Sequence, residues 1–226
     1  MLGAVIFDFD GVITDSEILH YRAFNHVLAG YGAKITKQDY YKTYLGLTDA
    51  DCYKLLIEQG RLKVDPAQID DLVQQKKKVF EKLASSEGRI IEGVRDFLNL
   101  LRHNNIPMAI CSGALLSEIE LILDEANLRD FFTIIVSAEQ VKKGKPAPDG
   151  FLLVLKRLNR SRKRPILAQQ CVVIEDSHWG ITAAAGAGMH IVAVTNTYGA
   201  EQLSQAEKIV DRLNELTLIS LEELCN

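Results

Sequence analysis

Residues 4–12 read Ala4-Val5-Ile6-Phe7-Asp8-Phe9-Asp10-Gly11-Val12. An apolar run stops at two acids with one residue between them, and a glycine follows. Such an unbroken run predicts a strand buried on both faces, as in a parallel sheet covered by helices. Two carboxylates at the exit of that strand are costly to desolvate unless something compensates them. A divalent cation is the simplest compensation. Side chains two apart on a strand face the same way. Because the strand ends here, Asp8 and Asp10 approach one small volume from different angles. Alone, the pattern also suits a plain turn after an edge strand, so the residues downstream must decide.

After Val12 the periodicity changes. Over 15–87 apolar residues recur at helical spacing, and no run reads as a buried strand. Ile69, Leu72, Val73, Phe80 and Leu83 form one stripe in a segment rich in Lys and Gln. Asp65-Pro66 marks its start, with proline at the first helical position. Tyr40, Tyr41, Tyr44 and Leu45 form a second stripe ahead of Gly46, and Lys76, Lys77 and Lys78 read as a solvated helix face. At Gly93 an alternation begins. A helix over 94–103 leads to the apolar run 108–111, and a second helix presents Ile119, Ile122, Leu123 and Ala126 on one face. Then come the run 133–136, a helix near 150–158, the run 171–174, a helix near 180–187 and the run 191–194. This alternation predicts a parallel sheet with helices on both faces. The first strand precedes the helical stretch and must join that sheet. The expected fold is a Rossmann-like α/β core over 1–14 and 89–226, interrupted by an inserted α-helical domain over 15–88.

In open α/β sheets ligands bind outside the carboxyl ends of the strands, so the residue after each run matters most. After the first run come Asp8 and Asp10; after the second, Ser112 and Gly113. A short connection beyond the third leads to Lys143-Gly144-Lys145-Pro146, and the fourth is followed by Glu175-Asp176-Ser177. Phosphoryl transfer fits this set. Asp8 is a carboxylate nucleophile that can carry the phosphoryl group as an aspartyl phosphate. Asp10 acts as general acid toward the leaving oxygen, then as general base for water. Mg2+ is a hard cation held by few carboxylates and by phosphate oxygens; Asp8 and Asp176 are its expected side-chain ligands, with the Asp10 carbonyl and Glu175 beside them. The ion reduces repulsion between anionic nucleophile and anionic substrate. Ser112 and the Gly113 amide bond the phosphoryl oxygens, and Lys145 neutralises charge on Asp8 and phosphate. Each piece has an ordinary meaning alone: a helix cap and turn at 112–113, a surface loop at 145–146, and acids favoured by a helix dipole at 175–177. Their order, each behind its own strand, carries the inference.

Composition narrows the classes. With 226 residues, 47% of them hydrophobic, the chain can bury a core and a smaller unit. A net charge of −4 gives no global field for nucleic acid, and the basic run at 160–164 reads as a solvated loop. Cys52, Cys111, Cys171 and Cys225 form no CxxC pair. Two of them lie in apolar runs, as reduced thiols of a cytoplasmic protein would. No run approaches the ~18 apolar residues of a membrane helix, and Asp8 arrives too early for a signal peptide. The expectation is a cytoplasmic monomer or weak dimer with neither nucleic-acid nor membrane partners.

The segments DFDGV, CSG, KGKPAPD and EDSHWGI resemble the four ordered motifs of the haloacid dehalogenase superfamily. The variety is similar to the β-phosphoglucomutase and phosphoglycolate phosphatase group, and the resemblance covers nearly the whole chain. It implies a Mg-dependent phosphomonoester hydrolase or mutase with a helical cap, 15–88 here, that closes over the site. Dehalogenases of the superfamily lack the second aspartate; Asp10 argues against their reaction. The mutases resemble this chain at Asp15 and at His20, a cap histidine that assists the acid/base aspartate on the substrate side. They also imply an arginine where this chain has Asp49, after Gly46-Leu47-Thr48, and Lys and Asn where it has Leu115 and Leu116. Both departures remove partners for a second phosphate, a loss of several kcal/mol for a buried anion. The reading is therefore a phosphatase acting on a small phosphorylated metabolite of sugar phosphate or phosphoglycolate type. A β-phosphoglucomutase-like mutase is the alternative, and a non-catalytic phosphate-binding regulator the third reading.

Overall fold

The computed structural model describes residues 1–45 and 47–226. Gly46 lies outside them, and with it part of the turn 46–49. Six strands form one sheet: β1 (Ala4–Phe7), β2 (Met108–Cys111), β3 (Ile134–Val136), β4 (Cys171–Glu175), β5 (His190–Val194) and β6 (Lys208–Val210). Their order is β3-β2-β1-β4-β5-β6, and every neighbouring pair is parallel. The fold is α/β and Rossmann-like. β6 is absent from the pattern reading because Lys208–Val210 opens on a charged residue, is only partly buried and forms no apolar run.

β1 lies at the centre, which explains its unbroken apolar run. Ala4 and Ile6 face a core layer that includes Phe151, Val154, Ile181 and Ala184. Phe7 faces the other way, its ring edge-on to Phe97 and Phe132 with centroids 5.9 Å apart in each case. A strand buried on both sides has no polar face to alternate with. Helices Val94–His103, Leu116–Glu125, Asp149–Leu158 and His178–Gly186 connect the strands.

The chain divides into two compact units, Met1–Asp15 with Arg89–Asn226, and Ser16–Gly88. In the first, the two segments are tied where they meet. Thr14 Oγ1 donates to the Arg89 carbonyl at 2.9 Å, the Ile91 amide donates to the Ile13 carbonyl at 3.0 Å, and Thr14 bridges Ile90 antiparallel.

In the second unit helices Glu17–Ala29, Asp49–Glu58 and Ile69–Glu87 enclose their own core, with Phe24, Leu28, Tyr44, Tyr53, Leu56 and Leu72 inside it. Asp65 caps the turn leading into the last helix, accepting from the Ala67 amide at 2.9 Å. The expectation of a solvated lysine face fails at Lys76, whose side chain is 1% exposed. Ile69, Leu72, Lys76, Phe80 and Ala84 are the buried residues of this helix, and their spacing of three and four is that of one inward stripe. Position dictates burial here despite the charge.

No helix of the described residues is long and apolar enough to cross a membrane. All four cysteines are free thiols, three of them buried.

Candidate active site

The register of the two central strands sets the site. Phe7 of β1 pairs with Ile174 of β4, and the Asp8 amide donates to the Ile174 carbonyl at 2.9 Å. Asp8 thus leaves the sheet beside Glu175 and Asp176. The crossing from β3 over β2 and β1 to β4 makes this the switch point of the sheet, where α/β folds bind ligands. Carboxylate oxygens of Asp8, Glu175 and Asp176 lie within 4.8 Å of one another, and all three residues are buried. Lys145, from the loop ahead of helix Asp149–Leu158, places Nζ 2.8 Å from Asp8 Oδ1 and 2.5 Å from Glu175 Oε1.

The three acids are held differently. Glu175 is 0% exposed. Its Oε2 accepts from the Asp176 amide (3.0 Å), the Ser177 amide (3.0 Å) and the Ser177 hydroxyl (2.9 Å), while Lys145 occupies Oε1. Gly180 makes room for it: a Cβ there would sit 1.6 Å from Oε1. Asp8 Oδ1 is enclosed, with the Lys145 ammonium beside it. Burial raises the Asp8 carboxyl above its ordinary range; Lys145 pulls it down, while Glu175 and Asp10 push it up. Burial likewise raises Asp176, with Glu175 and Asp8 adding to it. Burial opposes the charge on Lys145, but Asp8 and Glu175 outweigh it and raise the ammonium.

This arrangement fits a divalent cation. Three ionised carboxylates against one ammonium leave a formal charge of −2 in a buried volume. Lys145 is the one cation set against these acids among the described residues, and all the available ligands are hard oxygens, the set that Mg2+ takes.

Ser112 and Gly113 follow β2 directly. The Ser112 amide donates to the Val136 carbonyl at 2.9 Å. Its hydroxyl accepts from the Ala114 amide at 3.0 Å, so the O–H proton is not consumed by that bond. Asp10 stands in a tight loop in which the Ile13 and Thr14 amides both donate to the Phe9 carbonyl (2.8 and 3.1 Å). Gly11 adopts φ 75°, in the left-handed region that favours glycine. Asp8, Asp10, Ser112, Gly113, Lys145, Glu175 and Asp176 therefore all belong to the carboxyl edge of one sheet. His20 belongs to the helical unit. Its ring stacks on Phe80 with centroids 4.0 Å apart, and its Nδ1 lies 2.6 Å from Lys76 Nζ. An ammonium can only donate, so Nδ1 accepts. Burial, then the Lys76 charge, hold the His20 pKa well below its ordinary value. Lys76 Nζ is also 2.9 Å from Asp49 Oδ1.

The family model described as Haloacid dehalogenase-like hydrolase matches residues 5–194. The chain belongs to that family. With the family stands its reading as an enzyme, a hydrolase of the phosphatase type. The chain is 31% identical over 224 residues to the phosphorylated carbohydrates phosphatase of Thermotoga maritima, covering 99% of this chain and 96% of that protein. It is 29% identical over 224 residues to the β-phosphoglucomutase of Bacillus subtilis, covering 97% and 94%. Among solved structures, CbbY from Rhodobacter sphaeroides in complex with phosphate superimposes with a TM-score of 0.87 at 25% identity, covering 98% of this chain and all of that one.

Two further residues of this haloacid dehalogenase-like hydrolase support the acids, and the motif reading passes over them. Asn196 Nδ2 donates to the Gly11 carbonyl at 2.7 Å. The Thr197 side chain hydrogen-bonds Asp176 and lowers its pKa against the burial. Both follow β5, so the rule of inspecting the residues after each apolar run would have found them. Trp179 is 48% exposed beside the His178 ring.

Proposed function

We propose that the protein is a Mg2+-dependent phosphatase of a small phosphorylated metabolite, of sugar phosphate or phosphoglycolate type, working through an aspartyl phosphate. One observation carries this reading: three buried carboxylates within 4.8 Å of one another, two of them, Asp8 and Glu175, bridged by Lys145, at the switch point of the sheet. Asp8 and Asp176, with Asp10 and Glu175 beside them, would hold the ion, which supplies charge neutralisation between nucleophile and phosphate.

Asp8 attacks phosphorus: an Asp8 oxygen–phosphorus bond forms as the ester bond breaks, and Asp10 gives its proton to the leaving oxygen. Water then attacks the same phosphorus while Asp10 takes back a proton. The Asp8–phosphorus bond breaks and inorganic phosphate leaves. Ser112 and the Gly113 amide bond the phosphoryl oxygens as charge redistributes, and Lys145 opposes the effect of burial on the Asp8 carboxylate. The helical segment 15–88 is proposed as the cap, with His20 on the substrate side.

The resemblance to a β-phosphoglucomutase favours a second reading, transfer of the phosphoryl group back to a sugar. Two features speak against it. Asp49, at the place of the mutases' arginine, is paired with Lys76. Leu115 and Leu116 stand where Lys and Asn are expected, and neither side chain has a donor for a second phosphate.

Turnover of p-nitrophenyl phosphate with Mg2+ and with EDTA tests the phosphatase. Full activity of Asp8→Asn would remove the nucleophile assignment. Efficient isomerisation of β-glucose 1-phosphate with catalytic bisphosphate would establish the mutase instead.

A further inference from the structure

At the opposite edge of the same sheet, where β2 and β3 begin, lies a cleft of about 480 Å³ lined by Arg102, Arg157 and Arg162. Its walls include Ile106 and Pro107, which precede β2, and Phe131, which precedes β3. In a chain with more acids than bases, no carboxylate lies within ion-pair distance of any of these three arginines among the described residues.

Two of the guanidinium groups are held in place. Arg102 stacks on Phe131, 3.4 Å from the ring centroid. Arg157 Nη1 donates to the Ile135 carbonyl at 3.1 Å and to Gln140 Oε1 at 2.5 Å. Both stand in the last turns of their helices, where the dipole favours cations, which accounts for their type. It does not account for Arg162. That residue lies beyond the helix end in the basic run 160–164, which the catalytic reading leaves unused.

We propose that this cleft binds a nucleoside polyphosphate. The guanidinium groups of Arg102 and Arg162, with the remaining donors of Arg157, match phosphate oxygens, and Arg160, Lys163 and Arg164 flank Arg162 in the chain. The apolar wall of Ile106, Pro107 and Leu158 receives the base. The volume falls within the range of ~300–1,000 Å³ usual for small-molecule sites. This assignment does not rest on the phosphatase reading.

The test is titration calorimetry with ATP and with tripolyphosphate, in EDTA, on the wild type, Arg162→Glu and the Arg102→Gln/Arg162→Glu double variant. Arg162 is exposed in a loop, so its single variant reads the site even if the double variant fails to fold. The wild type is expected to bind ATP more tightly than tripolyphosphate. Each variant is expected to bind ATP about tenfold more weakly or worse, as loss of charge-assisted contacts implies, with p-nitrophenyl phosphate turnover unchanged. Equal ATP affinity in wild type and variants, tripolyphosphate binding as tightly as ATP, or no binding by the wild type would each overturn the assignment.

Discussion

Gly11 and Asp176 are packed so closely that a Cβ on Gly11 would sit 1.7 Å from Asp176 Oδ2. The glycine that ends the first motif is thus fitted to an acid of the fourth. Gly11 also needs its positive φ, so alanine there carries both a clash and backbone strain. Gly11→Ala is expected to leave the fold intact and to push the Asp176 carboxylate aside. The Mg2+ concentration for half-maximal activity should rise by roughly 10–100-fold, the usual scale for disturbing a metal ligand's support. A magnesium titration of turnover decides it; an unchanged midpoint would mean that Asp176 is not a ligand.

Among the described residues Lys145 is the one ammonium paired with two members of the acid cluster, 2.8 Å from Asp8 and 2.5 Å from Glu175. Lys145→Met keeps the length and removes the charge, leaving buried carboxylates that only a cation or protons can balance. Breaking a buried pair from one side costs about 3–5 kcal/mol. The variant should unfold at markedly lower denaturant in EDTA and recover part of that loss with Mg2+. If magnesium gives no greater protection to the variant than to the wild type, the cluster is not where the ion binds.

His20 gives the helical unit a pH dependence. Burial and the neighbouring Lys76 ammonium lower its pKa well below the ordinary value, so the folded protein keeps the ring neutral while the unfolded chain protonates it below about 6.5. Stability from this residue is complete above that pH. It declines as pH falls below it, by up to about 1.4 kcal/mol per pH unit, until the folded ring itself titrates. His20→Gln retains an acceptor for Lys76 and removes the titration. From pH 7.5 through 6.0 to 5.0 the wild-type denaturant midpoint should fall relative to that of the variant; parallel curves would contradict the assignment.

Asn196 and Thr197 support the acids from behind. Asn196→Ala frees the Gly11 carbonyl from its 2.7 Å bond and should cost about 1 kcal/mol, the net worth of one such bond. Thr197→Val removes a hydrogen bond that steadies the Asp176 carboxylate and should lower kcat/KM about tenfold. Kinetics of both variants at saturating and limiting Mg2+ separate a loosened ligand from a loosened fold, because excess metal rescues only the former.

What the residues announce in advance follows from burial. β2 is readable as 108–111 because both faces are covered, so hydrophobicity alone marks it. The positions of Asp8, Ser112, Lys145 and Asp176 are readable because polar groups directly after such runs stand at the sheet edge. Lys76 misleads, since its charge suggests water while its place between Leu72 and Phe80 on the inward stripe sends it to the interior. The environment of His20 has no local signal at all: its partners, Lys76 and Phe80, lie about sixty residues along and meet it only through packing. Glu175 looks equivalent to Asp176 in sequence. Only the folded chain shows that its oxygens are already taken by Lys145, Asp176 and Ser177.

The clasp between Thr14 and Arg89 makes the helical segment a detachable module. Its two ends meet side by side at Thr14 and Arg89, so a tight hairpin could close the gap without stretching the backbone. A shortened chain lacking 16–88 should then retain the acid cluster and fold by itself. An enzyme organised in this way can exchange its inserted segment without rebuilding the sheet that carries the acids.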